Sequence, residues 1–133
     1  MNPIKPHPAS QSLVCGKTSI SWTLSLDGVS TVTLRDVLDS AGSDGLDRIV
    51  ASLVNKGSGC IALDVEHLDR MTTAGAGALI KIATEMKHSG HELVMICPNP
   101  QVLGLLRILG LEREVRIFND AALAHAAIGP LRA

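Results

Sequence analysis

A chain of 133 residues is long enough for one domain with its own core and too short for two. Its 46% hydrophobic content supports folding, while 12 Lys+Arg against 13 Asp+Glu, a net charge of -1, give no electrostatic drive towards a phosphate backbone. Trp22 and Phe118 are the only aromatics and no apolar run nears the ~18 residues of a membrane span, so neither nucleic-acid binding nor direct membrane insertion is expected.

Residues 1–12 carry Pro3, Pro6 and Pro8 and lack the apolar core of a secretory signal. They are read as a flexible tail, with 13–133 as the domain. Ile20, Trp22, Leu24 and Leu26 alternate with Ser21, Thr23 and Ser25, the period of a half-buried strand. Asp27-Gly28 is a hairpin turn signal, and Val29, Thr31, Val32 and Leu34 form the returning strand. Asp39 to Gly45 reads as polar and turn-rich. Leu46, Ile49, Val50, Leu53 and Val54 then recur at helical spacing, up to the stop at Lys56-Gly57-Ser58-Gly59. Cys60 to Val65 is a short apolar run, as in a strand covered on both faces. Leu79, Ile82, Ala83 and Met86 mark a second helix that stops near Gly90, and Leu93 to Cys97 is another buried strand closed by Pro98. Val102, Leu105, Leu106 and Leu109 mark a third helix ending at Gly110. Val115, Ile117 and Phe118 suggest a short last strand, and Ala121 to Ile128 a final helix.

This order predicts an α/β fold: a mixed, mostly parallel sheet opened by an antiparallel hairpin, with about four packed helices. Cys15, Cys60 and Cys97 are odd in number, scattered, and form no CxxC pair, which fits a reducing compartment. A cytoplasmic location follows as an expectation. Cys60 and Cys97 fall in predicted strands and read as inert buried thiols.

The sharpest local feature runs from Asp64 to Leu79, out of a buried strand, through a loop, into a helix start. Thr72 and Thr73 stand where an N-cap belongs, and the small residues Ala74, Gly75, Ala76 and Gly77 follow. Two readings stay open. The threonines cap a helix and the glycines permit close packing. Alternatively, the free amides and dipole of the helix start hold an anion, such as a phosphate carried by one of these hydroxyls.

These residues carry a resemblance. From about Trp22 to Ile128 the chain is similar to the STAS domain, the fold of bacterial anti-sigma factor antagonists. The similarity rests on the element order, the Val37-Leu38-Asp39 corner, the Leu63-Asp64 strand end and the Thr73-Ala74-Gly75 junction. The Pro98-Asn99-Pro100 turn and Leu109-Gly110-Leu111 add to it. Through the central loop the family usually reads Asp-Leu-Ser-Gly-Val-x-x-Ile-Asp-Ser-Ser-Gly, and this chain keeps that register without a gap from Asp64 to Gly75.

The resemblance implies a binding module and not an enzyme, with no catalytic residues, cofactor or metal. Its implied partner is an anti-sigma factor, a histidine-kinase-like serine/threonine kinase that phosphorylates the first serine of Asp-Ser-Ser-Gly. That position is Thr73 here. Arg70, Thr72, Ala74, Gly75 and Gly77 would shape the partner-facing surface, with Asp39 on a neighbouring loop. The chain departs from the pattern in four places. Thr72 replaces the aspartate, Ala74 the second serine, Arg70 an aromatic or apolar residue, and Asp36 the glycine before the Val37-Leu38-Asp39 corner. Threonine at position 73 equally suits STAS subunits that bind the ATPase of phospholipid-transport ABC complexes without being phosphorylated. A small-ligand sensor is a third reading.

Other candidates are weaker. His88 and His91 lack a third metal ligand at a recognisable spacing. Glu66, His67 and Asp69 lack an accompanying nucleophile motif, and Ala74-Gly75-Ala76-Gly77 lacks the lysine of a phosphate-binding loop. The third helix is apolar on more than one face, as a core helix or one with an exposed patch.

Overall fold

Ile20, Trp22 and Leu24 of the first predicted strand fall on β2 (Thr18–Leu24), where Ile20 is buried and Trp22 and Leu24 pack half-buried against the core. In a computed structural model of the chain, residues 10–24, 28–96 and 99–132 are described. Residues 1–9 of the expected tail and Ser25, Leu26, Asp27, Cys97 and Pro98, singled out above, lie outside them. β2 pairs antiparallel with β3 (Val29–Leu38), the expected hairpin. There follow α1 (Ser40–Asn55), β4 (Cys60–Asp64), β5 (Leu68–Met71), α2 (Thr73–His88), β6 (Glu92–Ile96) and α3 (Pro100–Ile108). A 3-10 turn at Leu111–Arg113 leads to β7 (Arg116–Phe118) and α4 (Ala121–Arg132). β1 (Ser10–Cys15) precedes them all.

The seven strands form one mixed sheet in the order β1-β2-β3-β4-β6-β7, with β5 paired to β3. Pairing is antiparallel across β1, β2 and β3 and parallel everywhere else. One face carries the main core, built from Val32, Leu34, Ile61 and Leu63 of the strands beneath Leu46, Leu53, Leu79, Ile82 and Leu106 of the helices. The opposite face has a smaller cluster, where Ala124 and Ile128 of α4 cover Cys60, Ala62, Val94 and Ile96. Apolar residues on both sides of β4 and β6 explain their unbroken runs. Gly110 stops α3 in a left-handed conformation (φ 74°).

Three expectations need correction. Ser10, Gln11 and Ser12, read as the end of a tail, pair with Thr23, Trp22 and Ser21 as the start of β1. β1 is an edge strand with exposed Gln11, Ser12, Leu13 and Val14, so it shows no buried alternation to read. Asp39 to Gly45 is not a turn: Asp39 is the N-cap of α1 and Ser40 to Gly45 are its first residues. Its two glycines stand where the helix packs closely on β1 and β2. A Cβ on Gly42 would stand 1.9 Å from Thr18 Oγ1, and one on Gly45 2.6 Å from Cys15 Sγ. Finally, the segment between β4 and α2 is not all loop, since Leu68–Met71 forms β5 on the far half of β3.

That far half is reached through a bulge at Asp36/Val37, where Asp36 takes φ 73°. This is left-handed backbone, which glycine adopts most easily, and the position is the one where the resembled family keeps glycine. Ser19 Oγ donates to Asp36 Oδ2 at 3.2 Å and holds the side chain there.

Candidate partner-binding site

α2 begins where β3 ends. The backbone N–H of Thr72 donates to the Leu38 carbonyl at 2.9 Å, and its hydroxyl donates to the same oxygen at 3.2 Å. Thr72 Oγ1 accepts from Gly75 N–H at 3.1 Å, and its carbonyl accepts from Ala76 N–H at 2.9 Å. Thr72 is therefore the N-cap, fully occupied by the strand behind it and the helix ahead. Thr73 is the first helical residue. It is exposed, and its hydroxyl makes no hydrogen bond to another described residue. The helix-start pattern by itself left these two hydroxyls equivalent; in the structure Thr72 is committed to the cap, while Thr73 has no hydroxyl partner among the described residues.

The small residues divide in the same way. Gly75 is buried, and a Cβ there would stand 2.4 Å from the Leu38 carbonyl oxygen, so it is the contact that lets α2 lie against β3. Gly77 is exposed, with nothing within 4 Å of a built Cβ. Ala74 and Gly77 open onto a groove of about 270 Å³ between α1 and α2, which also meets Asp44, Asp47 and Lys81. The first turn of α2 holds no acidic residue to occupy its free amides.

Asp39 sits one residue beyond Leu38. Its carboxylate accepts from Gly42 N–H at 2.8 Å, Lys17 N–H at 2.9 Å and Thr18 Oγ1 at 3.3 Å. The bonds from Gly42, then Lys17, hold its carboxyl below the usual aspartate range. A group whose folded pKa is lowered adds stability at neutral pH, and that contribution disappears as the pH falls through the folded value. Asp39→Asn should therefore lower stability at pH 7. The gap from wild type should close as the pH drops below the ordinary aspartate range, in urea titrations at stepped pH.

Arg70 lies on β5 opposite Val37, exposed and without an ion pair to another described residue. β5 is fastened from its other side by Asn99, whose amide donates to the carbonyls of Leu68 at 2.6 Å and Asp69 at 3.2 Å. The same side chain caps α3 by accepting from Val102 N–H at 2.8 Å. Sequence reading noted Asn99 only as part of a turn. The signal for its role was an N-cap residue followed by proline at the first helical position.

Thr73, Ala74, Gly77 and the Thr72 cap thus share one end of α2, with Asp39 at the adjoining start of α1 and Arg70 on the strand leading in. The other candidates do not join them. Glu66 and His67 face each other at 3.9 Å in an exposed turn. Among the described residues no three His, Cys, Asp or Glu side chains are placed to hold a metal ion. A cavity of about 780 Å³ lies between the end of α2, α3 and β7. Three ion pairs line its rim: Lys87 with Glu114 at 3.3 Å, Arg107 with Glu112 at 3.5 Å and Arg116 with Glu92 at 2.6 Å. No helix among the described residues is long and apolar enough to cross a membrane.

The STAS domain family model matches residues 23–124, from β2 into α4. The chain belongs to the STAS family. A curated relative, BtrV of Bordetella bronchiseptica, is provisionally named an anti-sigma factor antagonist. It is 28% identical over 102 residues, covering 77% of this chain and 88% of the relative. Among solved structures, an anti-sigma factor antagonist of Thermotoga maritima, also provisionally named, superposes with a TM-score of 0.72 at 20% identity, covering 80% of this chain and 91% of that one. The antagonist SpoIIAA in its unphosphorylated form gives 0.65 at 16% identity over 91% and 97%. The phosphorylated form from Bacillus gives 0.63 at 15% over 90% and 99%. At these identities the solved structures establish a shared fold.

Proposed function

We propose that this STAS domain is an anti-sigma factor antagonist that works by partner switching, with Thr73 as its phosphoacceptor. The free, exposed Thr73 hydroxyl at the start of α2, beside a Thr72 hydroxyl already committed to the cap, carries this reading. The names borne by BtrV and the structural neighbours support it. In this reading the domain is a substrate and a binding module rather than an enzyme, and it meets its partner in the cytoplasm. The partner is an anti-sigma factor with a histidine-kinase-like ATP site. The unmodified surface of Thr73, Ala74, Gly77, Arg70 and the nearby Asp39 binds this partner and so frees a sigma factor.

Transfer of the γ-phosphoryl group of ATP to Thr73 Oγ1 releases ADP and leaves a dianion on that surface. The dianion faces the unfilled amides and positive dipole of α2, which tolerate it within the domain. A partner packed over the same spot must desolvate that charge and is released.

Thr73→Glu places a carboxylate in the first turn of α2, where the dipole raises stability by about 0.3–1 kcal/mol. Any loss of binding then reports on the surface and not on unfolding. Wild-type and Thr73→Glu baits in host lysate should differ at least about tenfold in the histidine-kinase-like ATPase they retain, a difference of about 1.4 kcal/mol. Thr73→Ala should abolish phosphate incorporation and Thr72→Ala should not. Equal retention of the kinase by both baits counts against the reading. Capture of an ABC ATPase instead would make the domain a transporter accessory subunit.

A further inference from the structure

We propose that β1 is a self-pairing edge, through which two copies of this chain join by antiparallel β1 strands about a two-fold axis. β1 ends the sheet, and among the described residues nothing pairs with its outer side. An edge strand presents a row of free N–H and C=O groups, and proteins usually blunt it with a charge, a proline, a bulge or a short length. The opposite edge is blunted in two of these ways: β7 is three residues long and carries Arg116. β1 has none of them. Its six residues, Ser-Gln-Ser-Leu-Val-Cys, include no charge and no proline, and they pair with β2 in unbroken register. Leu13 and Val14 are nonetheless 40% and 70% exposed.

The neutrality of β1 selects a second copy as the occupant. Across a two-fold axis every side chain meets its own kind or a neighbour's, so a charged edge repels itself and a neutral one does not. The pleat also fixes the register. Gln11, Leu13 and Cys15 share the face of Ile20, while Ser12 and Val14 share the other. Antiparallel partners point to the same face, so the axis must pass through a residue and not between two. With the axis at Leu13, Leu13 meets its own copy, Ser12 meets Val14 and Gln11 meets Cys15. This register covers both exposed apolar side chains. An edge of this length buries less than the ~800 Å² per partner of a stable complex, so the pairing depends on concentration.

Sedimentation velocity on the full chain from about 10 µM to about 1 mM brackets the affinity that such an interface supports. Wild type should move towards the dimer as concentration rises. Val14→Lys should stay monomeric throughout, with at least a tenfold lower dimer fraction at the highest concentration. Ile108→Lys, at an 83% exposed apolar site on α3, should behave as wild type. A wild-type chain that is monomeric at every concentration overturns the proposal, as does a dimer that Val14→Lys leaves intact. Amide shifts on dilution of the unmutated chain give a readout independent of any variant. They should be largest at Ser12 to Val14, and shifts confined to α3 would also overturn it.

Discussion

Gly75→Ala should cost about 2–3 kcal/mol of stability, while Gly77→Ala, two residues along the same helix, should add about 0.5–1 kcal/mol. Both changes gain the same helix propensity, because alanine surpasses glycine in a helix interior by about 1 kcal/mol. They differ in what the new methyl group meets. At Gly77 it meets open space. At Gly75 it would lie 2.4 Å from the Leu38 carbonyl oxygen and 3.0 Å from Leu38 Cγ. That oxygen cannot retreat freely, since it accepts both the N–H and the hydroxyl of Thr72. To relieve the overlap α2 must lift from β3, loosening two hydrogen bonds worth about 1 kcal/mol each. Urea unfolding of the two variants beside wild type reads the contrast. If both alanines stabilise, the close approach of α2 to β3 is not as described.

The second large effect is at Asn99. Asn99→Ala removes two donated bonds to β5 and the cap of α3 at once, and should cost about 2–3 kcal/mol. Asn99→Asp separates the two roles. A carboxylate oxygen still caps Val102, and aspartate caps about as well as asparagine. It has no N–H to give to the carbonyls of Leu68 and Asp69, and it places an oxygen against oxygens. Asn99→Asp should therefore recover little of the loss, by the same unfolding measurement. Full recovery would mean that the bonds to β5 contribute nothing.

Strands and helices that bury a continuous apolar stripe were legible in the sequence. β2 and β3 alternate, β4 and β6 carry unbroken apolar runs at Cys60 to Leu63 and Leu93 to Ile96, and α2 shows Leu79, Ile82, Ala83 and Met86 on its buried side. The elements that escaped lack such a stripe. β5 buries only Leu68 and Met71 at its ends, and β1 lies on an edge. The first turns of α1 read as a turn because glycine breaks helices by propensity, yet Gly42 and Gly45 are there to fit against Thr18 and Cys15. On α3, Val102 and Leu106 face the core as the spacing implied, while Leu109 is exposed and Ile108 more so.

At the site, the helix-start pattern alone could not rank the two threonines, and only the family register singled out Thr73. The carbonyl that decides between them belongs to Leu38, thirty-four residues earlier in the chain. Asp39 was assigned to a partner-facing loop, and the structure places it at the N-cap of α1, where its carboxylate bonds to three donors. Its role reads from a strand pairing that brings Lys17 and Thr18 beside it, and no local pattern reports that.

Leu38 and Asp39 are neighbours in the chain, yet one fixes the start of α2 and the other the start of α1. The two helices therefore share a single hinge point of two residues. Freeing the Leu38 carbonyl moves the peptide that carries Asp39, so neither helix start can open without disturbing the other. Local unfolding at this end of the domain should therefore be a single event, with the amides of both helix starts exchanging with solvent at matched rates in a hydrogen-exchange measurement.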